Sequence, residues 1–252
     1  MRNIRYIYED NDILVCHKPA GVATEGSKAY AMDIVSAARN YLARKNGRTG
    51  KPPYVATVHR LDQPVEGVVV LAKTKKAAGD ISDQIKKRTT GKYYYALCYG
   101  SFPDDKGKLI DYLIRKEDGL AAVVSEEEKN TLKDSVITME NGEKVRTVAG
   151  DVKKAALEYE VVKRTDNTTL LRIKLLTGRF HQIRVQLSHY GYPILGEKSY
   201  GSEESVRFSE ENAINDICLV SYKFELKHPT NGKRMCFEIK PDNSQIKSLL
   251  GE

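Results

Sequence analysis

The sequence predicts a mixed α/β or α+β domain with a largely antiparallel sheet. Many short segments have strand-like patterns, a few segments between them have helical periodicity, and strands and helices do not alternate regularly. The length of 252 residues fits one large domain or two modest ones. Because the chain shows no internal repeat, low-complexity tract or obvious linker, we expect a single domain over residues 1–252.

The predicted strands are alternating or continuous apolar segments bounded by turn-forming residues. Residues 68–72 form the clearest one, a continuous apolar run that is typical of a buried strand. In chain order, we predict strands at residues 6–9, 13–17, 68–72, 92–99, 109–114, 121–125, 157–162, 170–176, 217–226 and 235–239. The pattern is weakest over residues 104–151, where Asn141-Gly142 and Gly150-Asp151 indicate turns.

Three segments have apolar residues at helical spacing. They are residues 30–45, with Met32 on the apolar face and a stop at Asn46-Gly47, then residues 75–88, and then residues 180–190. Gly191 is suited to a left-handed C-cap at the end of the third helix. Residues 47–53 form a basic loop that contains glycine and proline.

The charge of the chain favours a polyanionic partner. Lys and Arg total 41 against 34 Asp and Glu, which gives a formal net charge of +7. The basic clusters are Arg39, Arg44, Lys45, Arg48 and Lys51; Lys73, Lys75 and Lys76; and Lys86, Lys87, Arg88 and Lys92. The acidic clusters lie elsewhere, at Glu126 to Glu128 and at Glu203, Glu204, Glu210 and Glu211. This segregation suits a phosphate-facing surface, although any single cluster also fits a solvated helix face.

Composition argues against several classes of protein. The apolar runs are too short to span a bilayer and the first residues lack a signal peptide, so we expect a cytoplasmic protein. Four cysteines lie far apart, with no histidine at metal-ligand spacing, so we expect neither structural zinc nor a disulfide framework. We predict that Cys16, Cys98, Cys218 and Cys236 are small core residues.

A first polar segment, His59-Arg60-Leu61-Asp62-Gln63-Pro64-Val65-Glu66-Gly67, precedes the buried strand at residues 68–72. It places a cation and a carboxylate at the end of an apolar element. From these residues alone, Asp62 fits either a turn former or a catalytic carboxylate.

A second segment is Thr177-Gly178-Arg179-Phe180-His181-Gln182-Ile183-Arg184. On a helix, Arg184 falls at the edge of an apolar stripe, partly turned toward the interior. Such an arginine either grips a carboxylate or extends its guanidinium to solvent.

Together these motifs resemble the RluA family of pseudouridine synthases. The resemblance rests on His59-Arg60-Leu61-Asp62 followed by Gly67, on Lys92-x-Tyr94-x-Ala96, and on Thr177-Gly178-Arg179-x-His181-Gln182-Ile183-Arg184. Flanking matches at residues 8–15, 18–21, 191–196 and 228–229 extend the likeness over most of the chain. The resemblance implies the pseudouridine synthase fold, a mixed and mainly antiparallel sheet with flanking helices and a central catalytic cleft.

The resemblance also implies roles for individual residues. Asp62 is the expected catalytic carboxylate, Arg184 its ion-pair partner, and Tyr94 the aromatic residue that stacks on the target uracil and assists proton removal. Arg60 is expected to fill the gap that the extruded base leaves in the RNA. The expected RNA-binding residues are His59, Arg60, Leu61, Arg179, His181 and Gln182. Asp62 either attacks ribose C1′ or removes a sugar proton, and the reaction is an isomerisation that needs no cofactor or metal.

The chain departs from the family pattern at several positions. Val65-Glu66 stand where Thr-Ser is usual, Phe180 replaces threonine, Gln186 replaces histidine, and Leu219-Val220-Ser221 replaces Leu-His-Ala. Because family-like sequence starts within the first ten residues, we expect no N-terminal S4 domain. We expect a monomer that acts on a stem-loop of rRNA or tRNA. The alternative is a catalytically inactive RNA-binding or ribosome-assembly factor with the same fold.

Overall fold

A computed structural model describes residues 3–26, 32–47, 50–116, 118–131, 136–138, 144–146 and 152–251. The chain divides into two compact units, which we describe separately. The first unit comprises Met1–Tyr95 and Leu219–Glu252, and the second comprises Ala96–Cys218. The single domain expected from the sequence stays a prediction.

The described elements agree with a mixed fold that has more strand than helix. The strands are β1 (Arg5–Glu9), β2 (Ile13–Lys18), β3 (Ala56–Thr57), β4 (Glu66–Ala72), β5 (Gly91–Tyr99), β6 (Lys106–Arg115), β7 (Ala121–Val124), β8 (Val136–Thr138), β9 (Lys144–Arg146), β10 (Lys153–Arg164), β11 (Thr168–Leu175), β12 (Leu219–Lys227) and β13 (Arg234–Glu238). The helices are α1 (Ile34–Lys45), α2 (Lys75–Lys86), α3 (Glu126–Thr131), α4 (Gln182–His189), α5 (Glu203–Glu211) and α6 (Ser244–Leu250).

In the first unit, the buried apolar run of β4 lies at the centre of the sheet. The strand order is β1-β2-β4-β12, and the first residues of β5 lie next to β12. β13 also pairs with β12, outside this order. β2 pairs with β4 antiparallel, from Ile13 opposite Ala72 to Lys18 opposite Gly67. β12 pairs with β4 parallel, with Ser221 opposite Gly67. These registers place the end of β2, the start of β4 and the start of β12 side by side.

A hydrophobic core on one side of this sheet holds α2. The buried core residues are Ile13, Val15, Val68, Val70, Ile81, Phe224, Leu226 and Phe237. Ile81 is the contribution of α2, whose N-cap Thr74 accepts a hydrogen bond from Ala77 N. Burial of this apolar set supplies the main force that fixes the sheet.

In the second unit, the strands form an antiparallel meander with the order β11-β10-β6-β7, and β5 ends next to β11. Leu113, Ala121, Ala155 and Val185 form a buried cluster that packs α4 against β6, β7 and β10. β8 and β9 form a separate two-stranded sheet. This packing sets the position of the Arg184 motif, because α4 carries it.

The structure confirms the predicted strands to within a few residues at their ends. It also confirms two helix stops: Asn46 caps α1, and Gly191 has φ +83° immediately after α4. The two turns predicted at Asn141-Gly142 and Gly150-Asp151 fall outside the described residues. Among the described residues, no helix has the length and apolar character needed to span a bilayer.

Two helix starts and one cysteine were predicted wrongly. α1 begins at Ile34 because the Asp33 side chain accepts from Ser36 N, and Met32 lies before the helix, 48% exposed. The residues at 30 and 31 lie outside the described part. α4 begins at Gln182 because His181 has φ +52°. Cys236 is exposed, whereas the other three cysteines are buried as expected.

Candidate active site

Asp62 lies on a short turn between β3 and β4. Its carbonyl accepts a hydrogen bond from Val65 N at 3.0 Å, which closes the turn. Just before it, Leu61 is buried and bonded through both backbone groups to the Thr24 hydroxyl, at 2.8 and 3.2 Å. The backbone on both sides of the Asp62 side chain is therefore fixed.

The buried ammonium group of Lys18 is hydrogen bonded to the same turn. Lys18 is fully buried at the end of β2, and its Nζ donates to Val22 O at 2.6 Å, Gln63 O at 3.0 Å and Pro19 O at 3.2 Å. Gln63 O also accepts from Gly21 N at 2.9 Å. An ammonium ion is stable in the interior only when such acceptors replace its water. Lys18 thus ties the residue after Asp62 to the loop that follows β2.

Tyr94 lies near Asp62 in the first unit. It is buried on β5, and its hydroxyl is hydrogen bonded to the Ser221 side chain. Burial raises the pKa of Tyr94 to about 12; the hydrogen bond from Ser221 opposes this shift and the negative charge of Asp62 adds to it. The structure therefore brings together two of the three predicted catalytic residues, and the tyrosine is a neutral phenol near neutral pH.

His59 supports the turn as a neutral side chain. Its Nε2 accepts from Val70 N at 3.0 Å, and its ring stacks on Phe224 with centroids 4.4 Å apart. Burial, assisted by the positive charge of Lys92, lowers the pKa of His59 to about 3. Burial also lowers the pKa of Lys92. His59 therefore remains uncharged over the physiological range and links the motif to the centre of β4.

Arg60 extends from the motif toward solvent. Its Nη1 lies 3.3 Å from Glu25 Oε1, and Glu25 Oε2 accepts from the Thr57 hydroxyl at 2.7 Å. An exposed pair of this kind stabilises a fold by at most about 1 kcal/mol, so it can exchange for another partner at low cost. The predicted insertion of Arg60 into RNA stays a prediction.

Gly67 and Glu66, at the end of the first motif, each make close contacts with other parts of the first unit. A Cβ on Gly67 would lie 2.5 Å from both Cβ and O of Ser221, so the close contact of β4 with β12 requires glycine. Glu66 is buried and accepts from His17 Nε2 at 2.8 Å, Asp242 N at 2.7 Å and Asn243 N at 3.0 Å. This departure from the family pattern therefore anchors the segment that leads into α6.

His17, Glu66 and Asp242 also bring potential metal ligands within 4.8 Å of one another. Arg5 Nη2 donates to Asp242 Oδ2 at 2.8 Å and contacts His17 Nδ1. A guanidinium group already supplies positive charge there, and Glu66 is bonded to two backbone amides. The arrangement fits a hydrogen-bond network better than a cation site.

Arg184 is buried in the second unit, on α4, and grips Glu197. Arg184 Nε lies 2.6 Å from Oε2 and Nη2 lies 2.9 Å from Oε1, the two-point geometry typical of an Arg–carboxylate pair. Burial opposes ionisation of Glu197, but the hydrogen bonds and charge of Arg184 outweigh it and lower the pKa of that carboxyl. The face of Tyr200 lies 5.2 Å from the same guanidinium.

Glu197 was not predicted from the sequence: the helical position of Arg184 left a carboxylate partner and solvent as alternatives, and the resemblance implied Asp62 as the partner. Glu197 directly follows Gly196 in a segment that resembles the family, and this was the available signal. The predicted pair of Asp62 and Arg184 joins residues of different units and stays a prediction.

The other predicted residues of the second motif have defined places around the start of α4. Gln182 is buried; its Oε1 accepts from the Thr177 hydroxyl at 2.7 Å and its Nε2 donates to Ala156 O at 3.1 Å. Arg179 Nε donates to Lys154 O at 3.1 Å. Gln182 fixes the loop before α4, and its predicted contact with RNA, like those of Arg179 and His181, stays a prediction.

Comparison with known proteins identifies the family. Residues 12–189 match the family described as RNA pseudouridylate synthase. The chain belongs to this family, and it is of the RluA type. An RNA pseudouridine synthase of Aquifex aeolicus is 33% identical over 241 residues, which cover 94% of this chain and 69% of that protein. Ribosomal large subunit pseudouridine synthase C of Haemophilus influenzae is 25% identical over 244 residues, 97% of this chain and 67% of that protein.

Solved structures of pseudouridylate synthases have the same fold. Human RNA Pseudouridylate Synthase Domain Containing 4 matches with a TM-score of 0.72 and 22% identity, over 97% of this chain and 91% of that chain. The resemblance, the fold class and the general function predicted from the sequence are thus confirmed: this chain is an RNA pseudouridine synthase, an isomerase. The comparisons do not favour the alternative of an inactive RNA-binding or ribosome-assembly factor.

Proposed function

We propose that this pseudouridine synthase isomerises one or more uridines of large-subunit rRNA, with Asp62 as the catalytic carboxylate. The choice of RNA is supported by relatives from several bacteria that carry the name ribosomal large subunit pseudouridine synthase C. Their identities to this chain are 24–28%. The net charge of +7 suits an RNA substrate. We also propose that the protein acts in the cytoplasm as a monomer.

The observation that carries the proposal is that the carboxylate of Asp62, on a fixed turn, lies near the buried aromatic ring of Tyr94. Asp62 sits on a turn held by the Thr24 hydroxyl and the Lys18 ammonium, and its charge acts on the buried phenol of Tyr94. A reacting group needs such fixed geometry, because small misplacements cost large factors in rate. An exposed turn that served only to reverse the chain would not need a buried ammonium beneath it.

The reaction needs little more than one carboxylate. The bond from ribose C1′ to uracil N1 breaks, the base turns, and a bond from C1′ to C5 forms while C5 loses its proton and N1 gains one. Atoms and electrons balance, so the product is an isomer of the substrate. Ionised Asp62 acts either as the nucleophile at C1′ or as the base that removes a sugar proton.

Tyr94 is proposed to stack on the target uracil. With a pKa of about 12, its phenol stays protonated near neutral pH and does not act there as a free phenolate base. Stacking on an aromatic side chain offsets part of the few kcal/mol needed to remove a base from its stack. The proposed pairing of Asp62 with Arg184 rests on the resemblance alone.

The test is a map of pseudouridines in rRNA and tRNA from cells that lack the gene, complemented with wild type or with Asp62→Asn. We expect one or more sites in large-subunit rRNA to be lost on deletion and restored by the wild-type gene only. A site lost in tRNA instead would overturn the proposed substrate. Restoration by Asp62→Asn would overturn the proposed role of Asp62.

A further inference from the structure

Phe180 is an exposed aromatic residue of the second unit. It lies just before α4 and is 39% exposed. The following residue, His181, has a left-handed φ of +52°, which is uncommon for a residue other than glycine. This backbone turn brings the His181 ring parallel to Phe180, with centroids 3.7 Å apart and planes 21° apart.

The imidazole of His181 is itself held in place. Its Nδ1 lies 2.8 Å from the Tyr200 hydroxyl, and that hydroxyl accepts a hydrogen bond from Ala121 N at 2.8 Å. The Tyr200 hydroxyl therefore has its own proton to donate to Nδ1. Tyr200 also meets the His181 ring edge-on, with centroids 5.7 Å apart. The inner end of the stack is thus fixed to the sheet of the second unit.

Arg115 supplies a third planar group. It is the last residue of β6, it is exposed, and its Cζ lies 4.6 Å from the centre of the Phe180 ring. Because the imidazole covers one face of Phe180 at 3.7 Å, the guanidinium takes the other face. Imidazole, phenyl ring and guanidinium thus follow one another in that order, and the planar cation at the outer end belongs to an exposed residue.

We propose that this stack of His181, Phe180 and Arg115 is a platform for an unpaired base of the RNA substrate, with the base lying on the guanidinium plane. This inference rests on the proposed function, and it assigns to Phe180 a role in selecting the RNA substrate. Proteins that read single-stranded RNA stack its bases on aromatic rings and on arginine planes.

The charge around the stack favours RNA over an apolar peptide. Lys153 is exposed on β10 opposite Leu113, which lies two residues before Arg115 on β6, so Lys153 and Arg115 share one face of the sheet. Arg179 is joined to the same strand through Lys154 O. A flat cation with a lysine on the same face of the neighbouring strand suits a base together with the phosphate beside it. An apolar peptide would gain nothing from these charges.

The test measures KM and kcat on large-subunit rRNA isolated from cells that lack the gene. We expect Phe180→Thr to raise KM about tenfold and to leave kcat within about twofold, because stacking contributes to binding. Phe180→Tyr restores a stacking ring and should restore KM. Arg115→Lys keeps the charge and loses the plane, so KM should rise while the salt dependence of binding is unchanged. Ile110→Thr, an exposed apolar residue on the same strand, is the matched control.

Two results would overturn the platform. One is KM within about twofold of wild type for both Phe180→Thr and Arg115→Lys. The other is a fall in kcat without a change in KM, which indicates a disturbed α4. If wild type forms no pseudouridine on this RNA, the proposed function fails. Filter binding of the same rRNA then tests the platform separately: a roughly tenfold weaker Kd for Phe180→Thr supports it, and equal affinity overturns it.

Discussion

At the scale of single residues, burial decides which groups around Asp62 carry a proton. His59 stays neutral, because its pKa is lowered to about 3 and its Nε2 accepts from Val70 N. Tyr94 stays protonated, because its pKa is raised to about 12. Both groups therefore keep one protonation state between about pH 5 and pH 9. Groups of constant charge hold the electrostatic environment of a catalytic carboxylate steady.

This state of His59 predicts a dependence of stability on pH. The unfolded chain protonates His59 near pH 6.5 and the folded chain near pH 3, so the unfolded state binds more protons between these values and stability falls as pH falls. Wild type should lose about 2 kcal/mol more than His59→Gln between pH 6.5 and pH 4.5. Gln retains an acceptor for Val70 N and does not titrate. Urea unfolding at both pH values is the measurement, and equal losses would contradict the assignment.

At the scale of elements, the parallel pair of β4 and β12 positions the motif. Gly67 packs directly against Ser221, and Ser221 is hydrogen bonded to Tyr94. The next residue back, Glu66, binds the backbone at the start of α6. One strand end therefore couples the Asp62 turn, the Tyr94 strand and the last helix. A change in the spacing of β4 and β12 would therefore displace the Asp62 turn, the strand that carries Tyr94 and helix α6.

Gly67→Ala is therefore expected to be strongly destabilising. The added Cβ would lie 2.5 Å from Ser221 O and Cβ, so the strands must separate, and we expect a loss of about 3 kcal/mol or more in the free energy of unfolding. Gly79→Ala is the control: Gly79 lies within α2, no atom beyond the adjacent backbone of that helix lies within 4 Å of the added Cβ, and we expect a gain of about 0.5–1 kcal/mol. A Gly67→Ala variant as stable as wild type in urea would refute the close contact.

Element prediction from the sequence succeeded where local pattern decides the structure. The apolar run in β4 and the glycine after α4 each identify their element without tertiary information. The start of α4 was placed too early, because His181 has a left-handed backbone conformation that the apolar spacing of the segment does not indicate. α5 was missed, because its acidic residues were interpreted as a charge cluster; Ser202 caps it.

The site was predictable only in part, for a similar reason. The resemblance to the family indicated Asp62 and Tyr94, and both lie in the same region of the first unit. Lys18 was noted only as a flanking match, and its three carbonyl partners depend on a fold that joins residue 18 to residue 63. Glu197 and Ser221 likewise act through distant partners. Apart from the family-like segment before Glu197, no local pattern indicated these contacts.

At the scale of the whole molecule, the residues with expected roles are divided between the two units. His59, Arg60, Leu61, Asp62 and Tyr94 belong to the first unit, and Arg179, His181, Gln182 and Arg184 to the second. The family match at residues 12–189 runs through both units. The chain spans about two thirds of the length of its Aquifex aeolicus and Haemophilus influenzae relatives. The proposed function on RNA depends most on the chemical role of one carboxylate, Asp62.

The most direct measurement is release of tritium from large-subunit rRNA labelled at uridine C5, prepared in cells that lack the gene. C5 loses its hydrogen when it bonds to C1′, so each pseudouridine formed releases one label. We predict release of about one label per target site with wild type. With Asp62→Asn, which keeps the shape and removes the charge, we predict a rate lower by about a thousandfold or more while the rRNA is still bound. An Asp62→Asn rate within tenfold of wild type would contradict the account.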